Sequence, residues 1–286
     1  MPLTRKRRFF YVLMAVLLLG ISLAVWAFLI EPNRLVVRQQ TISISNWRLK
    51  ANGLRIAAVS DIHAGSPFID EQKLRKLVTL INDSKPDLVV LLGDFMINER
   101  FYKQQIEPEV IAAQLRALNV PLGVYAVLGN HDWWYDGAKV RRALEAAGIK
   151  VLDNEVVRLD VSGEPVWLAG LADVWTRPQD ITGTLSKASP GEPVIVLTHN
   201  PDIFPAIPQS VSLTLAGHTH GGQVCLPLVG RLVVPSQYGQ RYAAGLVIEN
   251  EKKLFVTTGV GTSVFPVRFL VAPEIVILTV NSAGSN

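Results

Sequence analysis

Cysteine is all but missing from this chain: Cys225 stands alone among 286 residues. One thiol closes no internal disulfide and builds no thiolate cage for a structural zinc, so the fold leans on neither. A basic surplus is also missing where a nucleic-acid binder would need it. Residues 1–30 carry Arg5, Lys6, Arg7 and Arg8 and no acidic group, which leaves 24 basic against 24 acidic residues beyond them. The pI of about 9.2 therefore originates in the N-terminus, and no nucleic acid is expected as a partner. No Gly/Ser-rich linker, internal repeat or low-complexity tract interrupts the chain. No G-x-G-x-x-G fingerprint surrounds Gly259 and Gly261, which are read as serving a tight backbone path.

Charge is absent from Phe9 to Ile30, a run that as a helix would measure about 33 Å, the thickness of a bilayer's hydrocarbon core. The reading is a basic flank over 1–8, a transmembrane helix or signal anchor over 9–30, a stalk and edge strand over 31–53, and one large domain over 54–286. The Arg5–Arg8 cluster favours a cytoplasmic N-terminus, a single pass through the cytoplasmic (inner) membrane and an extracytoplasmic domain, although Arg34, Arg38, Arg48 and Lys50 follow the span. A cleaved signal peptide is the rival, with Val25, Trp26 and Ala27 as cleavage context. The length of the apolar run favours a retained anchor.

From Leu54 the chain alternates strand and helix patterns, with helices expected over Asp70–Asp83, Pro108–Leu118 and Asp136–Ala147. Strands dominate afterwards, including a hairpin turning at Ser162 and Gly163. This mixture predicts an α/β fold, a four-layer αββα sandwich of two mixed β-sheets with helices outside.

Histidine is scarce, and its placement is the strongest signal. His63, His131, His199, His218 and His220 are the full set, and each sits in or behind a short polar cluster that follows an apolar strand-like run. For a single histidine a hydrogen-bonded structural role is the default, and Asp61 alone would read as a turn or cap residue. Five in matching positions reverse that expectation. Side chains two apart on an extended segment share a face, so Asp61 with His63, and His218 with His220, are expected to converge, while Asp94, Asn130 and His199 arrive from separate strand ends. Carboxylate, imidazole and amide oxygen form a mixed donor set suited to Mn²⁺, Fe²⁺ or Zn²⁺. Seven ligands exceed one ion's needs and suit two divalent ions sharing a carboxylate.

The linked motifs D-x-H, G-D, G-N-H-D, H and G-H-x-H resemble those of the calcineurin-like metallophosphoesterase family over roughly residues 50–280. The extended GHTHGGQ, the TTGVGTS segment and the closing Arg268, Pro273, Glu274 and Ile275 resemble its membrane-anchored or exported bacterial phosphodiesterases. The resemblance implies one metal on Asp61, His63, Asp94 and His220, and a second on Asp94, Asn130, His199 and His218, with Asp94 bridging. It implies that His131 is no ligand and faces the leaving-group oxygen as acid or donor. Two divalent ions, two aspartates and a bridging hydroxide would leave about +1 to receive an anionic phosphate. The chain departs from phosphoprotein phosphatases, because Gly93-Asp94 is not continued as G-D-x-x-D-R-G, and it lacks the metal-binding Tyr that purple acid phosphatases place after that Asp.

The function so implied is a binuclear metal-dependent phosphoesterase, a phosphodiesterase using in-line attack of a metal-bridging hydroxide on a phosphate ester, with a lipid-linked or envelope substrate suggested by the membrane tether. Two alternatives stand beside it: a UDP-diacylglucosamine-type pyrophosphohydrolase, which requires a cytoplasmic domain, and a non-catalytic metal-bound scaffold, which would have lost ligands. Gln223 and Arg268 are candidates either for touching substrate phosphate or for packing behind the site. Trp133, Trp134 and Tyr135 either grip a leaving group or cover the site.

Overall fold

The computed structural model describes residues 4–97 and 106–284; Asn98 and Glu99, which stand where the G-D-x-x-D-R-G pattern has its Arg and final Gly, lie outside them. One six-stranded sheet has the order β1 (Val36–Ile44), β14 (Glu274–Ser282), β2 (Leu54–Val59), β3 (Leu88–Leu91), β4 (Val124–Ala126) and β5 (Lys150–Val151). The other runs β12 (Gly245–Glu249), β13 (Lys252–Val256), β9 (Leu213–Ala216), β8 (Val194–Leu197), β7 (Glu164–Gly170) and β6 (Glu155–Val161). A two-stranded ribbon, β10 (Cys225–Leu226) with β11 (Gly230–Arg231), stands apart. Both large sheets are mixed, as the alternating patterns predicted: β2 to β5 are parallel and β14 opposes β2, while β7, β8, β9 and β13 are parallel and flanked by antiparallel β6 and β12.

The central strands bury both faces, which is why they read as unbroken apolar runs. Ile56, Ala58, Leu88 and Val90 point into the core between the sheets, against Leu168, Ile195, Leu197 and Leu215. Their neighbours Ala57, Val59, Val89 and Leu91 face the helices α2 (Glu71–Asp83), α3 (Pro108–Leu115) and α4 (Asn130–Ala146). Helix α2 buries Leu74, Leu77, Val78 and Ile81 at helical spacing, and the Asp70 side chain caps it by accepting from Lys73 N at 2.8 Å. The fourth layer is thin. Among the described residues, α5 (Ile181–Leu185) and the 3₁₀ segments Pro201–Ala206 and Gly239–Tyr242 cover the outer face of the second sheet, with Phe204 and Tyr242 filling it.

Two expectations shift. Helix α4 begins at Asn130 instead of Asp136, because the Asp132 carboxylate accepts from Gly129 N and caps the motif's own turn. Asp136 (φ −169°, ψ 86°) interrupts the helix and caps its second part through Lys139 N. The expected edge strand is β1, but it pairs in parallel with the C-terminal β14 along its whole length, from Val36↔Glu274 to Ile44↔Ser282. Ahead of it, α1 (Arg5–Val25) has no buried residue and continues through a π-turn, Trp26–Ile30. The helical stretch Arg5–Asn33 is long and apolar enough to cross a membrane.

Candidate metal centre

Every sequence-predicted ligand arrives just past the C-terminal end of a strand: Asp61 and His63 after β2, Asp94 after β3, Asn130 after β4, His199 after β8, and His218 and His220 after β9. The convergence is as expected but its cause is not. Asp61, His63, Asp94, His218 and His220 have φ of 52°, 46°, 55°, 69° and 51°, so the motif segments are tightly turned instead of extended. Non-glycine residues in that region carry strain, and such strain clusters at functional sites. Close packing explains the adjoining glycines. A Cβ on Gly93 would lie 2.5 Å from Gly129 N, and one on Gly129 would collide with the Asp94 carboxylate.

Two donor groups form. Asp61, His63 and His220 make one and Asp94, His199 and His218 the other, with ligand atoms inside each within 4.8 Å of one another. Within the first, His220 Nε2 is 3.4 Å from Asp61 Oδ1 and 3.1 Å from His63 Nε2. In the second, His199 Nε2 is 3.2 Å from Asp94 Oδ2 and 3.1 Å from His218 Nδ1. Asp94 Oδ2 also lies 3.6 Å from His63 Nε2, which puts this one oxygen between the groups. Asn130 is buried with Oδ1 unpartnered, and so are Asp61 Oδ1 and His218 Nε2. His131, His63 and Asp94 form a third grouping of the same compactness.

These residues fit a cation. Buried oxygens and ring nitrogens without partners are costly unless something satisfies them. Ring orientation points the same way: His63 Nδ1 donates to Met96 O at 2.9 Å, which leaves its Nε2 as a lone pair aimed inward, and His199 Nδ1 donates to Leu92 O at 2.7 Å, which turns its Nε2 toward Asp94. Taken as protein groups alone, burial drives His63 and His218 down to about 3 and His220 well below its usual value. Burial would lower His199 as well, but the Asp94 carboxylate outweighs it and lifts the imidazole to about 10, while His199 holds Asp94 low against its own burial. Burial raises Asp61 to about 6. A cluster this rich in neutral imidazole and carboxylate lone pairs is a receptor for positive charge.

Around it stand residues the motifs did not fully disclose. Asp132 makes no bond to His131. Its carboxylate accepts four backbone N–H groups, from Asp94, Phe95, Met96 and Gly129, at 2.8–3.0 Å, and so clamps the G-D loop to the G-N-H-D turn. Asp173, fully buried with one oxygen bonded to Thr176 and the other unpartnered, contributes to raising His199; no motif surrounds it in the sequence. Trp134 meets the His131 ring edge-on at 4.9 Å and Trp175 meets His218 at 4.3 Å. The two indoles, both half exposed, frame the site, whereas Trp133 is engaged by Arg177 and Tyr135 by Glu107. Gln223 is tied to the adjacent loop, accepting from Ser263 N and donating to Phe265 O. Arg268 is fully buried behind the site, its guanidinium donating to the carbonyls of Thr258, Gly259, Gly261 and Val271. The geometry of both is that of supports for the backbone.

The family model for calcineurin-like phosphoesterases matches residues 54–222. YkuE of Bacillus subtilis, described as an uncharacterized metallophosphoesterase, is 34% identical over 262 residues, spanning 91% of this chain and 90% of its own. The phosphodiesterase YaeI of Escherichia coli is 31% identical over 228 residues, 78% of this chain and 81% of its own. A zebrafish (Danio rerio) transmembrane protein with a metallophosphoesterase domain is 30% identical over 248 residues, 81% of this chain and 54% of its own.

Proposed function

The chain belongs to the calcineurin-like phosphoesterase family and is a metal-dependent phosphoester hydrolase, and from that premise we propose that it cleaves phosphodiesters at a two-cation centre. The observation that carries the reading is the position of Asp94 Oδ2, 3.6 Å from His63 Nε2 and 3.2 Å from His199 Nε2, where one carboxylate serves both donor groups. Asp61, His63 and His220 would hold one cation and Asn130, His199 and His218 the other. Bound divalent ions would neutralise charge growing on the phosphoryl oxygens and lower the pKa of the attacking water.

The chain's own groups do the rest. His131 donates its backbone N–H to Asp94 Oδ1 at 2.9 Å, which holds the bridging carboxylate in place, and its Nδ1 has no partner in the protein. We assign that imidazole to the leaving-group oxygen, as a proton or hydrogen-bond donor. Trp134 and Trp175 would flank the leaving group and restrict water. The similarity to a named phosphodiesterase supports diester over monoester cleavage, and an extracytoplasmic domain on a single inner-membrane span, near a lipid-linked or envelope substrate, fits the basic cluster ahead of α1.

The test is a rate comparison on metal-reconstituted protein between bis(4-nitrophenyl) phosphate, 4-nitrophenyl phosphate and diesters bearing lipid headgroups. Faster hydrolysis of diesters is expected, and a monoester preference would overturn the substrate class. Asp94→Asn should lose bound metal together with more than ~10²-fold in rate, beyond what the loss of an outer partner costs. A variant with full metal content and near-normal rate would remove Asp94 from the bridge.

A further inference from the structure

The end of α1 is fastened to the catalytic domain beside the metal edge. Ala27 O accepts from Arg268 N at 3.0 Å, Asn33 O accepts from Lys73 Nζ at 2.8 Å, and Glu31 is buried, bonded to Trp26 Nε1 and to Arg34. Strand register then fixes which end of the sheet this is. Val36 pairs with Glu274 and Val276 with Ala58, so the start of β1 lies at the C-terminal end of β2, where Asp61 emerges. The opposite end of β1, at Ile44, is about 26 Å away.

The segments at the helix-proximal end are unusually apolar on the outside. Leu228 at the tip of the β10–β11 turn is fully exposed, and Val229, Leu232 and Val233 expose more than half their surface. Phe265 and Leu270 do the same in the loop that bonds Ala27 through Arg268. The turn and the loop are joined: Cys225 N donates to Phe269 O at 2.9 Å, and Gln223 Nε2 to Phe265 O at 3.2 Å. Water-exposed apolar clusters of this kind mark interaction sites, and a cluster level with the end of a spanning helix adjoins the bilayer surface.

We propose that the Leu228–Val233 turn, with Phe265 and Leu270, rests in the surface of the bilayer that α1 crosses, making a second membrane contact that turns the metal edge toward that leaflet. This rests on the reading of α1 as a span. Its support is continuity: Arg268 connects the last turn of the helix to Gly261 O, and Gly261 N bonds Asp61 O.

The test uses the full chain reconstituted in phosphatidylethanolamine/phosphatidylglycerol vesicles. Single-cysteine variants in a Cys225→Ser background, Leu17→Cys, Leu228→Cys, Phe265→Cys and Ser189→Cys, carry a nitroxide whose accessibility to oxygen and to a water-soluble nickel chelate is compared. Ser189 shares a cavity with Ile44 at the far end and serves as the aqueous control. Labels at 17, 228 and 265 should be oxygen-accessible and protected from nickel several-fold relative to 189. Labels at 228 and 265 as nickel-accessible as 189, with 17 protected, would overturn the docking surface alone. Nickel access at 17 would overturn the span, and the docking surface with it.

Discussion

His131 and His199 both contact Asp94, and each yields a measurement. If His131 serves the leaving group, His131→Ala should retain its metal content and lose ~10²-fold or more in kcat on a diester with a poor alkoxide leaving group. With nitrophenolate, which departs readily as an anion, the loss should shrink. Equal losses on the two would exclude leaving-group assistance. Loss of a cation would instead move His131 into the ligand set, where its grouping with His63 and Asp94 would allow it. His199, lifted to about 10 by Asp94, is protonated at pH 8, and a cation taking its Nε2 must expel that proton. Below about 10, apparent metal affinity should therefore rise with pH, by up to tenfold per unit for one proton released. Calorimetric titration at pH 8 in buffers of different ionisation enthalpy measures the release, expected near one proton. None would mean that Nε2 is already free.

The elements of this fold act through their ends. β2, β3, β8 and β9 are short and buried; β2, β3 and β9 each deliver a left-handed turn carrying a candidate ligand, whereas β8 delivers His199 without one. Holding several such turns against one another is the work of buried charge. Asp132 gathers four N–H groups between the second and third motifs, and Glu274, buried at the start of β14, accepts from Thr258 N while pairing with Arg38 of β1. Asp132→Asn keeps the size but places an NH₂ where only acceptors fit. It should destabilise the fold by about 2–3 kcal/mol, the scale of hydrogen bonds to a charged group, and lower metal affinity by releasing the Asp94 loop. Thermal melting and metal titration of the variant check this. Unchanged melting would show that the clamp is not needed.

Across the whole molecule, the site, the C-terminal loops and the helix that emerges from the domain lie at one end of the sheets. The orientation of that helix decides which compartment the site serves. With Arg5–Arg8 held inside, a periplasmic-type reporter such as an alkaline phosphatase fused after Asn286 should be active and a cytoplasm-dependent one inactive. The reverse pattern would place the domain in the cytoplasm and favour pyrophosphate cleavage of a nucleotide-linked lipid.

The gathering of histidines and aspartates at one edge was legible in the sequence because it is a matter of residue type and order: scarce histidines, each behind an apolar run, spaced in linked motifs. Layering and mixed sheets were legible for the same reason, since burial of a strand on two faces writes itself as an unbroken apolar run. Tertiary structure alone decided the rest. Positive φ at Asp61, His63, Asp94, His218 and His220 accompanies close approaches between separate segments, Gly93 against Gly129, Gly217 against Ser60 and Gly261 against Ile62, which no local pattern encodes for non-glycine residues. The roles of Asp132, Asp173 and Arg268 depend on which backbone groups or charged side chains lie within reach after folding. The partnership of β1 with β14, and hence the end of the sheet that meets α1, joins residues more than 200 positions apart, a pairing that spacing along the chain does not specify.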